Sequence, residues 1–244
     1  MLMNRDKSVL LIVDVQVRLA PYIHDGQRVA EHCAWLAQVA ERVGVPVVVT
    51  EHFPEKIGAT LDLVREVTTN AQYVGKQCFS AQADGCLAGT AVDQRRQVIV
   101  CGTEAHVCVQ QTALDLRWAG KEVFIVAEAS GSREPANRDL AFARMRSHGI
   151  EIVSREMVAF EWLQRGGTEL FREVNRDFIR VGGKAVRQHE RSRFLIILMY
   201  ACYLRISEVA ARPGFTPVMG QFRRDRKTGV WFVPCKASTS HVIA

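Results

Sequence analysis

Two hydrophobic periods alternate along residues 1–165, and that alternation leaves this chain very few ways to fold. Short β-branched runs occur at residues 8–15 (SVLLIVDV), 46–50 (PVVVT), 97–102 (QVIVCG), 122–127 (EVFIVA) and 151–154 (EIVS), with a weaker one around Tyr73 and Val74. Between them lie stretches with helical spacing. Over residues 27–43, Val29, Ala30, Cys33, Leu36, Ala37, Ala40 and Val43 form one stripe, and Gly44 is placed to end the helix. Residues 105–119 repeat the pattern before Gly120, and residues 137–147 repeat it before Gly149. Strands that are apolar throughout and separated by helices predict a parallel sheet covered on both faces. The expected fold is therefore α/β and three-layered, with a six-stranded, mostly parallel sheet.

Charge divides the chain at a different place. From Gly182 onward there are 11 Lys and Arg against 3 Asp and Glu, leaving 21 against 23 for residues 1–181. The overall charge of +6 thus belongs to the last quarter. With the glycine pair Gly182-Gly183 at the step, this predicts a domain over 1–181 and a short basic C-terminal extension over 182–244. The apolar run at 194–204 is too short to span a bilayer, and the N-terminus lacks the pattern of a signal peptide. Seven cysteines without a C-x-x-C pair suit free thiols, so a cytoplasmic chain is expected.

In an open parallel sheet, ligands bind beyond the carboxyl ends of the strands. The first strand delivers Asp14 there, the second Thr50-Glu51-His52, the weak third Gly75-Lys76, and the fourth Gly102-Thr103-Glu104-Ala105-His106-Val107-Cys108. Singly, each has an ordinary alternative: Asp14 as a helix cap, Lys76 as a solvated lysine, Cys108 as a small buried hydrophobe. Together they form a coherent set. A thiol at a helix N-terminus beside a lysine is expected to ionise more easily than a free cysteine. An aspartate on an apolar strand end can move protons, and backbone amides of the 103–108 loop can face an oxyanion. That set suits acyl transfer through a thioester.

The stretches LLIVDVQ, PVVVTEHFPEKIG, GKQCFS, VIVCGTEAHVCVQQTALDL and SGSREPANRDLAFARMRSHGIEI resemble the isochorismatase-like cysteine hydrolase superfamily, in the branch of isochorismatase-domain proteins related to bacterial YcaC. The resemblance covers about residues 8–180. It implies a Rossmann-like fold and a catalytic triad of Asp14, Lys76 and Cys108. Cys108 would be the nucleophile, Asp14 the general base and then acid, and Lys76 the group that orients and stabilises charge. It also implies a cis peptide at Thr103–Glu104, with the amides of Val107 and Cys108 forming the oxyanion hole. Gln16, His52, Phe79 and His106 are candidate pocket residues. The nicotinamidase branch carries a D-x-H…H metal site after its second strand, where TEHFPEKIG leaves His52 alone, so no metal and no cofactor are expected. Cleavage of a small amide-like substrate is the leading expectation, together with a homo-oligomer.

Residues 190–236 resemble the opening of a tyrosine recombinase (phage integrase) catalytic domain, with Arg205 on its first catalytic arginine and Lys236 near its hairpin lysine. The later His-x-x-Arg and the tyrosine nucleophile have no counterpart. Two other readings stay open: nucleic-acid binding through the basic 182–244 tail, and a catalytically silent family member.

Overall fold

The computed structural model describes residues 1–180, 223–224 and 231–232. Met1–Arg180 forms one compact unit and Val181–Ala244 a second. In the second, β7 (Arg223–Arg224) and β8 (Trp231–Phe232) pair antiparallel. The recombinase-like positions Arg205 and Lys236 lie outside the described residues.

Within Met1–Arg180 the strands are β1 (Ser8–Val13), β2 (Val47–His52), β3 (Gln72–Lys76), β4 (Gln97–Thr103), β5 (Glu122–Gly131) and β6 (Glu151–Val153). They form one sheet in the order β3-β2-β1-β4-β5-β6, and every neighbouring pair is parallel. The longer helices are α1 (Gly26–Val43), α6 (Gln110–Trp118), α7 (Pro135–Ser147), α8 (Arg155–Leu163) and α9 (Glu169–Val174). Single-turn helices α2 (Pro54–Ile57), α3 (Asp62–Arg65), α4 (Ala81–Asp84) and α5 (Ala91–Gln94) fill the connections.

The period of two along the strands sorts side chains onto two cores. Leu10, Ile12, Ile99, Cys101, Phe124 and Val126 pack with α1 and α8 on one face. Val9, Leu11, Val98, Val100, Val123 and Ile125 pack with α6 and α7 on the other. Both faces being covered explains why these strands are apolar without alternation. Among the described residues no helix is long and apolar enough to cross a membrane.

The strands depart from the expected ranges at their carboxyl ends. β1 stops at Val13, because Asp14 takes a left-handed backbone (φ 50°). β2 runs on through Glu51 and His52, whose backbones pair with Gly75 and Lys76 of β3. β5 continues to Gly131 after a shift in register, with Val100 opposite Ile125 but Gly102 opposite Ser130. Polar residues at this edge are held by strand pairing, which hydrophobic patterning does not detect. In this strand order the winding reverses between β1 and β4, and a crevice opens beyond their carboxyl ends.

Candidate active site

Asp14 leaves β1 into that crevice. Its N–H donates to the Thr50 carbonyl at 3.1 Å, and its own carbonyl accepts from Thr103 Oγ1 at 2.7 Å. A positive φ is uncommon outside glycine, and Asp is among the side chains that adopt it with least cost. β4 approaches closely enough to make the Thr103 bond because Gly102 has no side chain. A Cβ there would stand 2.0 Å from the Val13 carbonyl oxygen, and the Gly102 φ is 122°.

The Asp14 carboxylate is fully buried and divided between two partners. Thr50 Oγ1 donates to Oδ1 at 2.7 Å, while Lys76 Nζ lies 2.7 Å from Oδ2. The lysine approach to Oδ2 is close but poorly aligned for a hydrogen bond, so among the described residues Oδ2 retains an unclaimed lone pair. Lys76 ends β3 and donates to the carbonyls of Cys78 and Phe79, each at 3.1 Å. Those two carbonyls and Asp14 fix the ammonium in place.

Cys108 follows β4 on a wide turn of π geometry, Ala105–Val109, that leads into α6. The Glu104 carbonyl accepts from the N–H of Val107 at 3.0 Å and of Val109 at 3.2 Å, passing over Cys108. The Thr103–Glu104 peptide is cis. Among the described residues the Glu104 N–H donates to no acceptor, whereas the Val107 N–H is already engaged. The thiol is 5% exposed, and Asp14 and Lys76 are near enough for both charges to act on it.

Here the structure corrects an expectation. Burial first, and the Asp14 carboxylate second, push the Cys108 thiol up to about 12, against the opposing pull of Lys76. A helix N-terminus and a lysine favour thiolate, but the adjacent carboxylate and the loss of solvent outweigh them. The resting thiol is protonated at neutral pH.

The remaining expected residues divide. His52 packs edge-on to Phe53 at 4.8 Å and against Phe79 at 5.4 Å between ring centroids. Burial, then Lys76, lowers its pKa, so its ring is neutral near pH 7. Phe79 is half-exposed, and with His52 it forms an aromatic wall beside the lysine. Gln16, by contrast, is fully buried and committed to backbone. It accepts from the His52 N–H at 2.9 Å and donates to the carbonyls of His52 (3.0 Å) and Gly58 (2.6 Å). It holds the 52–58 loop. His106 turns its Nδ1 to Ser132 Oγ at 3.0 Å, and Glu104 turns its carboxylate to Arg133. Thr50, which the second strand brings to this edge, takes a role that the run PVVVT does not reveal, that of holding Asp14 Oδ1. Among the described residues no group of three or more His, Cys, Asp or Glu side chains is placed to hold a metal ion.

Comparison with known proteins agrees with this architecture. Isochorismatase domain-containing protein 2A of Mus musculus is 29% identical over 171 residues, spanning 70% of this chain and 82% of that protein. Isochorismatase domain-containing protein 2 of Danio rerio is 31% identical over 170 residues, spanning 69% and 85%. Among solved structures, the MAR1 ribonuclease from Caenorhabditis elegans matches with a TM-score of 0.68 at 28% identity, covering 72% of this chain and 91% of that one. The octameric YcaC gene product from Escherichia coli, described as a hydrolase of unknown specificity, matches with a TM-score of 0.69 at 19% identity, covering 78% and 97%, and shows the shared fold. Residues 8–157 match the isochorismatase domain, and the chain belongs to that family, whose members are generally hydrolases.

Proposed function

We propose that this protein is a cysteine hydrolase that cleaves a small amide-like substrate through a thioester on Cys108. One observation carries the reading: the Cys108 thiol meets a buried Asp14–Lys76 pair in which Thr50 occupies Oδ1 and Oδ2 keeps its lone pair.

The chemistry follows from the protonated resting thiol. As Sγ attacks the substrate carbonyl carbon, the thiol proton passes to Asp14 Oδ2, and the carbonyl oxygen becomes an oxyanion. The amides of Cys108 and Glu104 are the donors we assign to that oxygen, the Val107 N–H being engaged by the Glu104 carbonyl. Collapse breaks the C–N bond, and Asp14 returns the proton to the leaving amine. A water then attacks the thioester, giving its proton to Asp14; collapse breaks the C–S bond, and Asp14 returns the proton to Sγ as the acid leaves. Lys76 stays charged throughout, holding the carboxylate in line and limiting the cost of negative charge nearby. The aromatic wall of His52 and Phe79 supplies an apolar face for the substrate.

The test is turnover of a panel of small amides, read as amine and acid released, with full-length wild type, Cys108→Ala and Cys108→Ser. Hydrolysis that is lost in both variants, with an acyl adduct on Cys108 in the intact mass of a slow substrate, supports the reading. Full turnover in Cys108→Ala overturns it. A single-stranded RNA oligonucleotide belongs in the panel, because one structural relative is described as a ribonuclease. We further infer a homo-oligomer, which light scattering on the eluting protein tests. Nucleic-acid binding through 182–244 rests on residues outside those described.

A further inference from the structure

Lys76 ends an edge strand, and the carbonyls that hold its ammonium belong to an exposed loop. β3 lies at the rim of the sheet beside β2, and Gln77, Cys78 and Phe79 after it are all exposed. Such a loop has little of its own to keep two carbonyls 3.1 Å from a buried ammonium. We propose that Asp115 is a positioning residue for the hydrolysis: through Ser80 it ties this loop to the helix that carries Cys108, and so fixes where the Lys76 ammonium stands relative to the thiol. The inference rests on the assignment of Lys76 and Cys108 to one reaction.

Three observations support it. First, the end of the loop is fastened to α6 at two adjacent points. Ser80 Oγ donates to Asp115 Oδ2 at 2.5 Å, a charge-assisted bond at the short end of its range. The Ala81 N–H donates to Thr112 Oγ1 at 3.0 Å. Ser80 is itself buried, and its Oγ also accepts from the Ala83 N–H at 3.1 Å, so the same hydroxyl begins α4. Asp84 closes the outer side, its Oδ2 accepting from the N–H groups of Gln77 and Cys78, each at 2.8 Å. The Cys78 and Phe79 carbonyls are left to the ammonium.

Second, the fastening residues share a helix face with the nucleophile. Thr112 and Asp115 follow Cys108 by four and seven residues, the spacing of one face. The chain passes without a break from the turn at Ala105–Val109 into α6, so one element both presents the thiol and holds the loop.

Third, helix stability explains neither side chain. Asp115 stands in the last turn of α6, where the negative end of the helix disfavours a carboxylate. Among the described residues its side chain meets only Ser80. Thr112 is fully buried inside the helix, where a β-branched hydroxyl side chain is a poor helix former, and its Oγ1 serves Ala81.

The test reads the charge felt at the thiol in the full-length protein. Cys108 is alkylated in parallel with anionic iodoacetate and neutral iodoacetamide, and both rates are read from the Cys108 peptide by mass spectrometry. Their ratio rises with a nearby ammonium and cancels thiolate fraction and access, which the two reagents share. In Ser80→Ala and Asp115→Ala the iodoacetate-to-iodoacetamide ratio should fall at least about threefold as the ammonium moves away. The sign is decisive for Asp115→Ala, because removing a carboxylate without moving Lys76 raises the ratio. Asp115→Asn still accepts the Ser80 hydroxyl and should stay above Asp115→Ala. Circular dichroism shows which variants are folded, and Ser80→Ala, which loses a single oxygen, decides the matter if Asp115→Ala is not. A smaller fall, no change or a rise in Ser80→Ala overturns the proposal, as does Asp115→Asn falling as far as Asp115→Ala. These ratios need no substrate, so they stand or fall apart from the thioester reading, which turnover in Cys108→Ala decides.

Discussion

Asp14 and Lys76 stand 2.7 Å apart with neither side chain exposed, and separating their charges by mutation should be severe. At an effective dielectric of ~20, two unit charges at that distance attract by about 6 kcal/mol. Desolvation offsets much of this, so the pair is a modest net stabiliser, but removing one member strands the other. Asp14→Asn leaves a buried ammonium held only by the carbonyls of Cys78 and Phe79, and Lys76→Met leaves a buried carboxylate held by Thr50. Each single change should cost ~3–5 kcal/mol, and the double change should cost about 3 kcal/mol less than their sum. Guanidinium unfolding followed by fluorescence reads this, because Trp162 is fully buried and hydrogen-bonded to Ser8 Oγ at 3.1 Å. Additive singles, with a coupling below ~1 kcal/mol, would refute the claim that the two charges depend on each other.

Alkylation of Cys108, located by mass spectrometry, should climb about tenfold per pH unit from about pH 7 to pH 10 without a plateau, since the thiol titrates at about 12. Asp14→Asn removes a charge that raises this thiol, so it should speed alkylation at fixed pH while abolishing turnover; slower alkylation in that variant contradicts the electrostatic account. His32, held at about 4 against an ordinary 6.5, is neutral in the folded chain while the unfolded chain takes up a proton. Its contribution is complete above about pH 6.5 and disappears as pH falls through about 4, so His32→Gln should flatten that part of the stability–pH curve. Gly102→Ala forces a methyl group to within 2.0 Å of the Val13 carbonyl at a φ of 122°, and should cost about 3 kcal/mol or more in denaturant unfolding.

Hydrophobic patterning located all six strands, because β-branched runs and helical stripes report burial directly. It was least accurate at the carboxyl edge, where Glu51-His52 and the segment through Gly131 are strands made of polar or small residues. Adjacency in space is readable where it follows from strand order, which brings Asp14, Lys76 and Cys108 to one edge of the sheet. Protonation is not, because the sign of the shift at Cys108 depends on an Asp14 contact and a degree of burial that spacing does not encode. Gln16 shows the same limit: its place after β1 suggested a pocket, yet its amide is consumed by the His52 and Gly58 backbone. Thr50 was visible as a polar residue closing an apolar strand, but its partner was not.

The left-handed backbone at Asp14 has a bearing on how this position can vary. Glycine, asparagine and aspartate tolerate such a conformation, whereas longer or branched side chains pay for it in strain. The buried Lys76 ammonium removes the first two as good substitutes, since neither brings a negative charge. Glutamate has the charge but neither the backbone preference nor the length that meets Thr50 and Lys76 together. Conformation and charge thus act as two independent filters on one codon, and aspartate alone passes both.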